Sequence, residues 1–159
     1  MKSIKIRHAN KSDAALVLDF IKKIAVYEKM QDQVSATAED LETYIFDRKA
    51  ADVLIAECDG KPVGFALFFE NFSTFIGRTG LYLEDIYVDR DMRGLGIGKK
   101  LFQAVAAQAA ERGCQRMEWC CLNWNQPSID FYHYMGAQPM DDWTTFRLSG
   151  RAIRDAINK

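Results

Sequence analysis

Residues 81–112 read LYLEDIYVDRDMRGLGIGKKLFQAVAAQAAER, and the fold turns on how this stretch divides. Residues 81–88 (LYLEDIYV) are rich in apolar and aromatic side chains, the composition of a strand. The turn Arg93, Gly94, Leu95, Gly96, Ile97, Gly98 then opens an alanine-rich segment. There Leu101, Val105 and Ala109 fall on one helical face, and Gly113 is placed to close the helix. A further strand at 115–122 (QRMEWCCL) makes the unit strand, glycine turn, helix, strand, which implies one right-handed parallel crossover. Glycines let such a turn be tight and point successive N–H groups outward. The helix starting near Lys99 adds the positive end of its dipole, so the turn is an anion cradle suited to a diphosphate.

Spacing separates this cradle from two better-known ones. A dinucleotide fingerprint, G-x-G-x-x-G, needs a third glycine where Lys99 stands, and it belongs to the first strand-helix unit of a chain. A P-loop needs a hydroxyl after its lysine, whereas Gly98, Lys99 and Lys100 supply none. Dinucleotide binding and nucleotide hydrolysis are both disfavoured.

Outward from this stretch, residues 3–7 (SIKIR) alternate as a short strand. Ser12 or Asp13 offers a cap for a helix toward Tyr27, with Leu16, Phe20 and Ile24 on one face. Thr37 with Asp40 resembles a capping box opening a second helix, with Leu41 and Ile45 as its buried stripe through about Phe46. Residues 52–58 and 62–70 are β-rich and joined by Asp59, Gly60 and Lys61, a hairpin turn. Residues 125–135 read as a short helix ended by Gly136, and 143–149 (WTTFRLS) as a last strand. The order β-α-α-β-β-β-α-β-α-β describes an α/β chain with a mixed, mostly antiparallel twisted sheet and helices on both faces, forming a single domain over 1–159.

Composition narrows the partners. The chain has 159 residues, 48% of them hydrophobic, enough for one core without disulfides or a structural metal. With 21 basic and 22 acidic residues spread along it, no basic stripe suggests nucleic acid or an anionic membrane. No apolar run reaches the roughly 20 residues of a membrane span, and the amino terminus lacks a signal-peptide apolar region, so a cytoplasmic location is expected. Cys58, Cys114, Cys120 and Cys121 form no C-x-x-C pair, and with only His8 and His133 no zinc set is expected. The cysteines read as reduced thiols.

Arg93, Gly96 and Gly98 match the acyl-CoA diphosphate loop R/Q-x-x-G-x-G/A of the GNAT superfamily of N-acetyltransferases. The resemblance covers most of the chain. The helix ending in AVYEKM (25–30), the segment LYLED (81–85) and the segment NQPSIDFY (125–132) are similar to its diamine (spermidine/spermine) and thialysine branch. It implies acetyl-CoA as co-substrate, with no metal, and a primary amine on a small polyamine or amino-acid-like acceptor. The cofactor would be held by the backbone of Ile86, Tyr87 and Val88, by Arg93, Gly94, Leu95, Gly96, Ile97, Gly98 and Lys99, and by Asn125, Pro127 and Ser128. Homodimers are common in that family, so a homodimer is expected.

Chemistry assigns further roles. An alkylamine with a pKa near ~10.4 must lose its proton before it attacks. Glu84, near the end of the strand leading into the cradle, is the candidate general base, acting through a water. Asp85 would point to the opposite face if the strand is regular. Tyr132 resembles the family's general acid and would serve the departing thiolate. Tyr27 and Glu28 match a substrate-facing pair able to hold an ammonium by charge and cation–π attraction, and Glu84 and Asp85 add to it. Three readings stand beside this one: a GNAT acting on a protein or peptide amine, a non-catalytic acyl-CoA-binding regulatory module, and a cysteine-nucleophile acyltransferase using His133. The segment His133, Tyr134, Met135 departs from the basic residues of the animal diamine enzymes, which leaves an amino-acid-like acceptor open.

Overall fold

The computed structural model describes residues 2–159, which divide after Cys120 into two compact units. In the first unit β1 (Ile4–His8), β2 (Asp52–Cys58), β3 (Lys61–Ser73), β4 (Arg78–Val88) and β5 (Met117–Glu118) form a sheet in that spatial order. The first four pair antiparallel and β5 joins β4 in parallel, as the crossover requires.

Helix α1 (Ala14–Tyr27) covers one face of the sheet. Its Val17 and Phe20 pack with Ile45, Val53, Ile55 and Phe65, and Leu67 and Tyr87 border this cluster. Phe20 and Phe65 stack with centroids 5.4 Å apart, and burying one such ring contributes about 2–3 kcal/mol. The helix entry is capped by Asn10 rather than by Ser12 or Asp13. The Asn10 side chain accepts from the Ser12 N–H at 3.0 Å, while the Asp13 carboxylate accepts from the Asn10 N–H at 2.8 Å. Arg7 ties this entry to the sheet, reaching Asp13 at 2.8 Å and Glu57 at 2.6 Å, and its guanidinium holds the Asp13 carboxyl below its usual range.

Thr37 and Asp40 form the expected capping box of α2 (Ala38–Leu41), which continues as a π-helical turn, Glu42–Asp47. Helix α3 (Ile97–Glu111) packs on β2, β3 and β4 through buried Leu101, Phe102, Val105 and Ala109. The expected helices, hairpin and crossover are therefore present.

Strand β4 is where regularity fails. Leu67 of β3 faces Asp85 and Phe68 faces Leu83, so Glu84 is an extra residue, a β-bulge. Pairing between β4 and β5 is confined to Leu81 with Met117 and Tyr82 with Glu118. The expected strand 115–122 thus shrinks to two residues, because the bulge that follows Tyr82 bends β4 away from its parallel neighbour.

The second unit carries α4 (Gln126–Tyr134), with Pro127 in its first turn and Gly136 beyond its end at φ 90°, and α5 (Arg151–Asp155). The last strand expected at 143–149 is not formed. Those residues have strand-like composition, but a strand exists only with a hydrogen-bonded neighbour, and Trp143, Phe146 and Leu148 instead stand exposed. No described helix is long and apolar enough to cross a membrane, and the four cysteines form no disulfide.

Candidate active site

The open end of β4 supplies the first element of the site. From Leu83 to Val88 the strand keeps β3 on one side but has lost β5 on the other, so backbone groups on that edge, in the stretch holding Ile86, Tyr87 and Val88, have no strand to bond. After Val88 the chain makes a 3₁₀ turn, Arg90–Met92, and enters the glycine loop.

In that loop Gly94 and Gly96 take φ values of 77° and 76°, the left-handed region that glycine adopts without a Cβ penalty. No atom lies within 4 Å of where a side chain would start at either position, so they are glycine for conformation and leave open space before the backbone. Gly96 is also the N-cap of α3, and the Lys100 N–H makes the helix bond to its carbonyl at 3.0 Å. The amides of Ile97 and Gly98 precede that first helical bond and lie at the positive end of the dipole. Leu95 is exposed and Ile97 is buried, which anchors the loop to the core. A cradle of this shape and polarity fits a diphosphate.

Arg93 begins the loop and reaches back from it. Its Nε donates to the Val88 carbonyl at 3.1 Å, and its guanidinium carbon lies 4.9 Å from the Tyr27 ring centre and 5.7 Å from that of Tyr87. Lys23 forms a second tie between α1 and this end of β4, pairing with Asp89 at 3.0 Å.

Carboxylates gather beside these ties. Two-residue alternation would place Asp85 opposite Glu84, but the bulge breaks that rule. Asp85 lies across from Leu67, which borders the α1 core, and Tyr82 lies across from Phe69, on the same side of β3. The extra residue shifts the phase so that Glu84 and Asp85 both address the α1 side of the sheet. Burial pushes the Asp85 carboxyl up to about 6, with Glu84 and Glu28 adding repulsion. Burial likewise raises Glu28, the C-cap of α1. None of the three carboxylates has an ion-pair partner among the described residues, and no group of three or more His, Cys, Asp or Glu there could hold a metal ion.

A stability consequence follows with a definite sign. An Asp85 that titrates near 6 in the folded chain and near 3.8 in the unfolded one keeps its proton longer when folded, so stability falls as pH rises between those values. The difference amounts to on the order of 3 kcal/mol. Asp85→Asn is therefore expected to stabilise the protein at pH 8 by roughly 2 kcal/mol, with the gain gone below pH 4. Urea unfolding at both pH values measures this, and an equal gain at both would contradict it.

Of the other expected residues, Tyr27 ends α1 within the Arg93 stack. In the second unit Asn125 is buried at the N-cap position of α4, though its side chain makes no capping bond, and Pro127 and Ser128 follow in the first turn. Tyr132 is half-buried in α4, its ring 5.6 Å from that of Phe131. Sequence reasoning missed the bulge, although its signal is visible. Apolar residues Leu81 and Leu83 are followed by Ile86 and Val88, a spacing that changes phase once. It also missed the second engagement of Arg93 and the bond from the Tyr82 hydroxyl to the Cys120 sulfur at 3.2 Å.

A mixed sheet that parts at a bulge, followed by a glycine cradle at a helix start, defines an acyl-CoA-type transferase fold. Residues 20–137 match the acetyltransferase (GNAT) family, and the chain belongs to it. It is 36% identical over 173 residues to thialysine N-epsilon-acetyltransferase of Bos taurus, with both chains covered in full. It is 34% identical over 166 residues to spermidine/spermine N(1)-acetyltransferase-like protein 1 of Homo sapiens, covering 98% of this chain and 24% of that one. A solved integron cassette protein from Vibrio cholerae superposes with a TM-score of 0.81 at 26% identity, covering 99% of each chain. The protein is thus an acetyltransferase, of a family that uses acetyl-CoA and whose named relatives act on amines.

Proposed function

We propose that this acetyltransferase moves the acetyl group of acetyl-CoA to the primary amine of a small polyamine or amino-acid-like acceptor by direct attack. The observation that carries this reading is the set of Glu28, Glu84 and Asp85, carboxylates without a cation partner, with Asp85 held near 6. Such a set gains most from an arriving ammonium, which would offset both the burial that raises Asp85 and the smaller repulsion from Glu84 and Glu28. Tyr27 provides an aromatic wall beside it.

The backbone of loop 93–98, with the amides of Ile97 and Gly98, would hold the diphosphate together with Lys99, and the family resemblance assigns Asn125, Pro127 and Ser128 of the second unit to the cofactor as well. When bound, acetyl-CoA supplies the activated acyl group. Unpaired edge amides among Ile86, Tyr87 and Val88 would receive negative charge on the acyl oxygen. Glu84 is exposed, so water reaches it, and it would draw the amine proton through that water. Tyr132 would hold a proton for the departing sulfur. No metal is needed for any of these steps.

The test is a thiol-release assay with acetyl-CoA against spermidine, putrescine, thialysine, lysine, aminoglycosides and short peptides. Turnover with a small amine establishes the reading and selects the acceptor branch. Turnover confined to peptides would replace it with a peptide-amine enzyme, and binding of acetyl-CoA with no turnover would favour a regulatory module.

We also infer a homodimer working in the cytoplasm. Exposed apolar side chains in the carboxyl-terminal region, Phe146 at 91% and Ile157 at 79% among them, support pairing or exchange of this region between copies. Size-exclusion chromatography at micromolar concentration is expected to give a dimer, and a monomer elution volume would count against it.

A further inference from the structure

Arg93 stands in the diphosphate loop, yet its side chain is committed elsewhere. The Nε bond to the Val88 carbonyl fixes the guanidinium over the end of β4, and the stack on Tyr27 and Tyr87 joins it to the last residue of α1. Glu28 follows Tyr27 directly as the helix C-cap and adds to the field that raises Asp85. One side chain therefore links the loop to the element that carries two of the amine-facing residues. An α-helix end is the part of a helix most prone to fray, so a stack placed there decides how well Tyr27 and Glu28 are held.

We infer that Arg93 is a positioning residue that couples the two substrates. It holds the Tyr27–Glu28 wall from the diphosphate loop, so that ordering the loop with a CoA diphosphate also orders the wall that receives the amine. This rests on the reading of Tyr27 and Glu28 as amine-facing residues proposed above. Linkage makes the effect reciprocal: if CoA tightens the amine by some factor, the amine tightens CoA by the same factor. Cation–π contacts survive replacement of arginine by lysine better than replacement by a neutral amide, so the two variants separate charge-dependent stacking from mere space filling.

Isothermal titration with CoA, which lacks the acetyl group and permits no turnover, and with thialysine as amine probe tests this. In the unaltered chain, saturating CoA is expected to lower the thialysine Kd about tenfold. Arg93→Gln is expected to reduce that factor to below about two while changing the Kd of CoA alone by less than about threefold, and Arg93→Lys to recover part of the factor. In steady state Arg93→Gln should raise the amine KM with little change in kcat. Combining it with Tyr27→Ala should add little to either change, because both remove one contact. Full coupling retained in Arg93→Gln, or no coupling in the unaltered chain, would overturn the inference. So would a loss of more than about thirtyfold in CoA affinity alone, which would make Arg93 a phosphate ligand. Failure of the unaltered chain to bind CoA at all would instead sink the acyl-donor reading.

Discussion

Gly96→Val is expected to weaken acetyl-CoA binding by roughly 100-fold while leaving a folded protein. Gly96 sits at φ 76°, where an L residue costs about 1–2 kcal/mol and a β-branched one is an outlier. Nothing lies within 4 Å of the position a Cβ would occupy, so the variant suffers no clash with the core. Relief comes by turning the backbone out of the left-handed region. That rotation moves the N-cap of α3 and re-aims the amides of Ile97 and Gly98, the groups proposed above to hold the diphosphate. Losing two or three such bonds at about 1 kcal/mol each accounts for most of the hundredfold, since 1.4 kcal/mol is tenfold. The measurement is an acetyl-CoA titration paired with a thermal melt. Because Ile97 and the apolar stripe of α3 remain buried, the melting temperature should fall by only a few degrees. A Kd within threefold of the unaltered chain would place the diphosphate elsewhere.

This loop was legible because glycine spacing between a strand and a helix has few physical meanings, and the alternatives demand residues that Lys99 and Lys100 are not. Helix α3 and the hairpin of β2 and β3 were legible for a related reason, since their periodicities and turn residues act locally. Features that depend on distant pairing were not. The strand expected at 115–122 shortens to Met117–Glu118 because its neighbour bends away at Glu84, and nothing within 115–122 records that bend. The segment 143–149 carries strand-forming residues, but composition supplies a conformational preference and not a partner. Asn10 took the cap that Ser12 and Asp13 seemed to offer because the Asp13 carboxylate is drawn back to the Asn10 amide and to Arg7. Glu84 and Asp85 were recognisable in the sequence as two acids near the end of β4, whereas their shared direction rests on one extra residue in that strand. The opposite-face reading of Asp85 assumed a regular strand, and the bulge at Glu84 removes that assumption.

Tyr132→Phe is expected to lower kcat by about 100-fold, at the modest end of the range for a positioned general acid, while acetyl-CoA affinity changes by less than about threefold. The substitution removes one hydroxyl from a half-buried ring in α4 and leaves the contact with Phe131, so packing has little reason to change. A thiol with a pKa of about 8.5 leaves as a thiolate without help near pH 8, which is why the loss should stop well short of abolition. That argument predicts a pH dependence. Below pH 7 the released sulfur ends as a thiol and the missing proton donor should cost more, whereas above pH 9, where the sulfur remains a thiolate, the variant should approach the unaltered enzyme. The base variant shares this trend: Glu84→Gln should also hurt least at high pH, because free amine then forms without it, so a comparison of leaving groups is needed to separate the two. Acyl donors whose thiol has a lower pKa should narrow the Tyr132→Phe deficit and leave the Glu84→Gln deficit unchanged. If Tyr132→Phe turned over acetyl-CoA as fast as the unaltered chain at pH 7, Tyr132 would be removed from the acid role and the departing sulfur would have to be served by water.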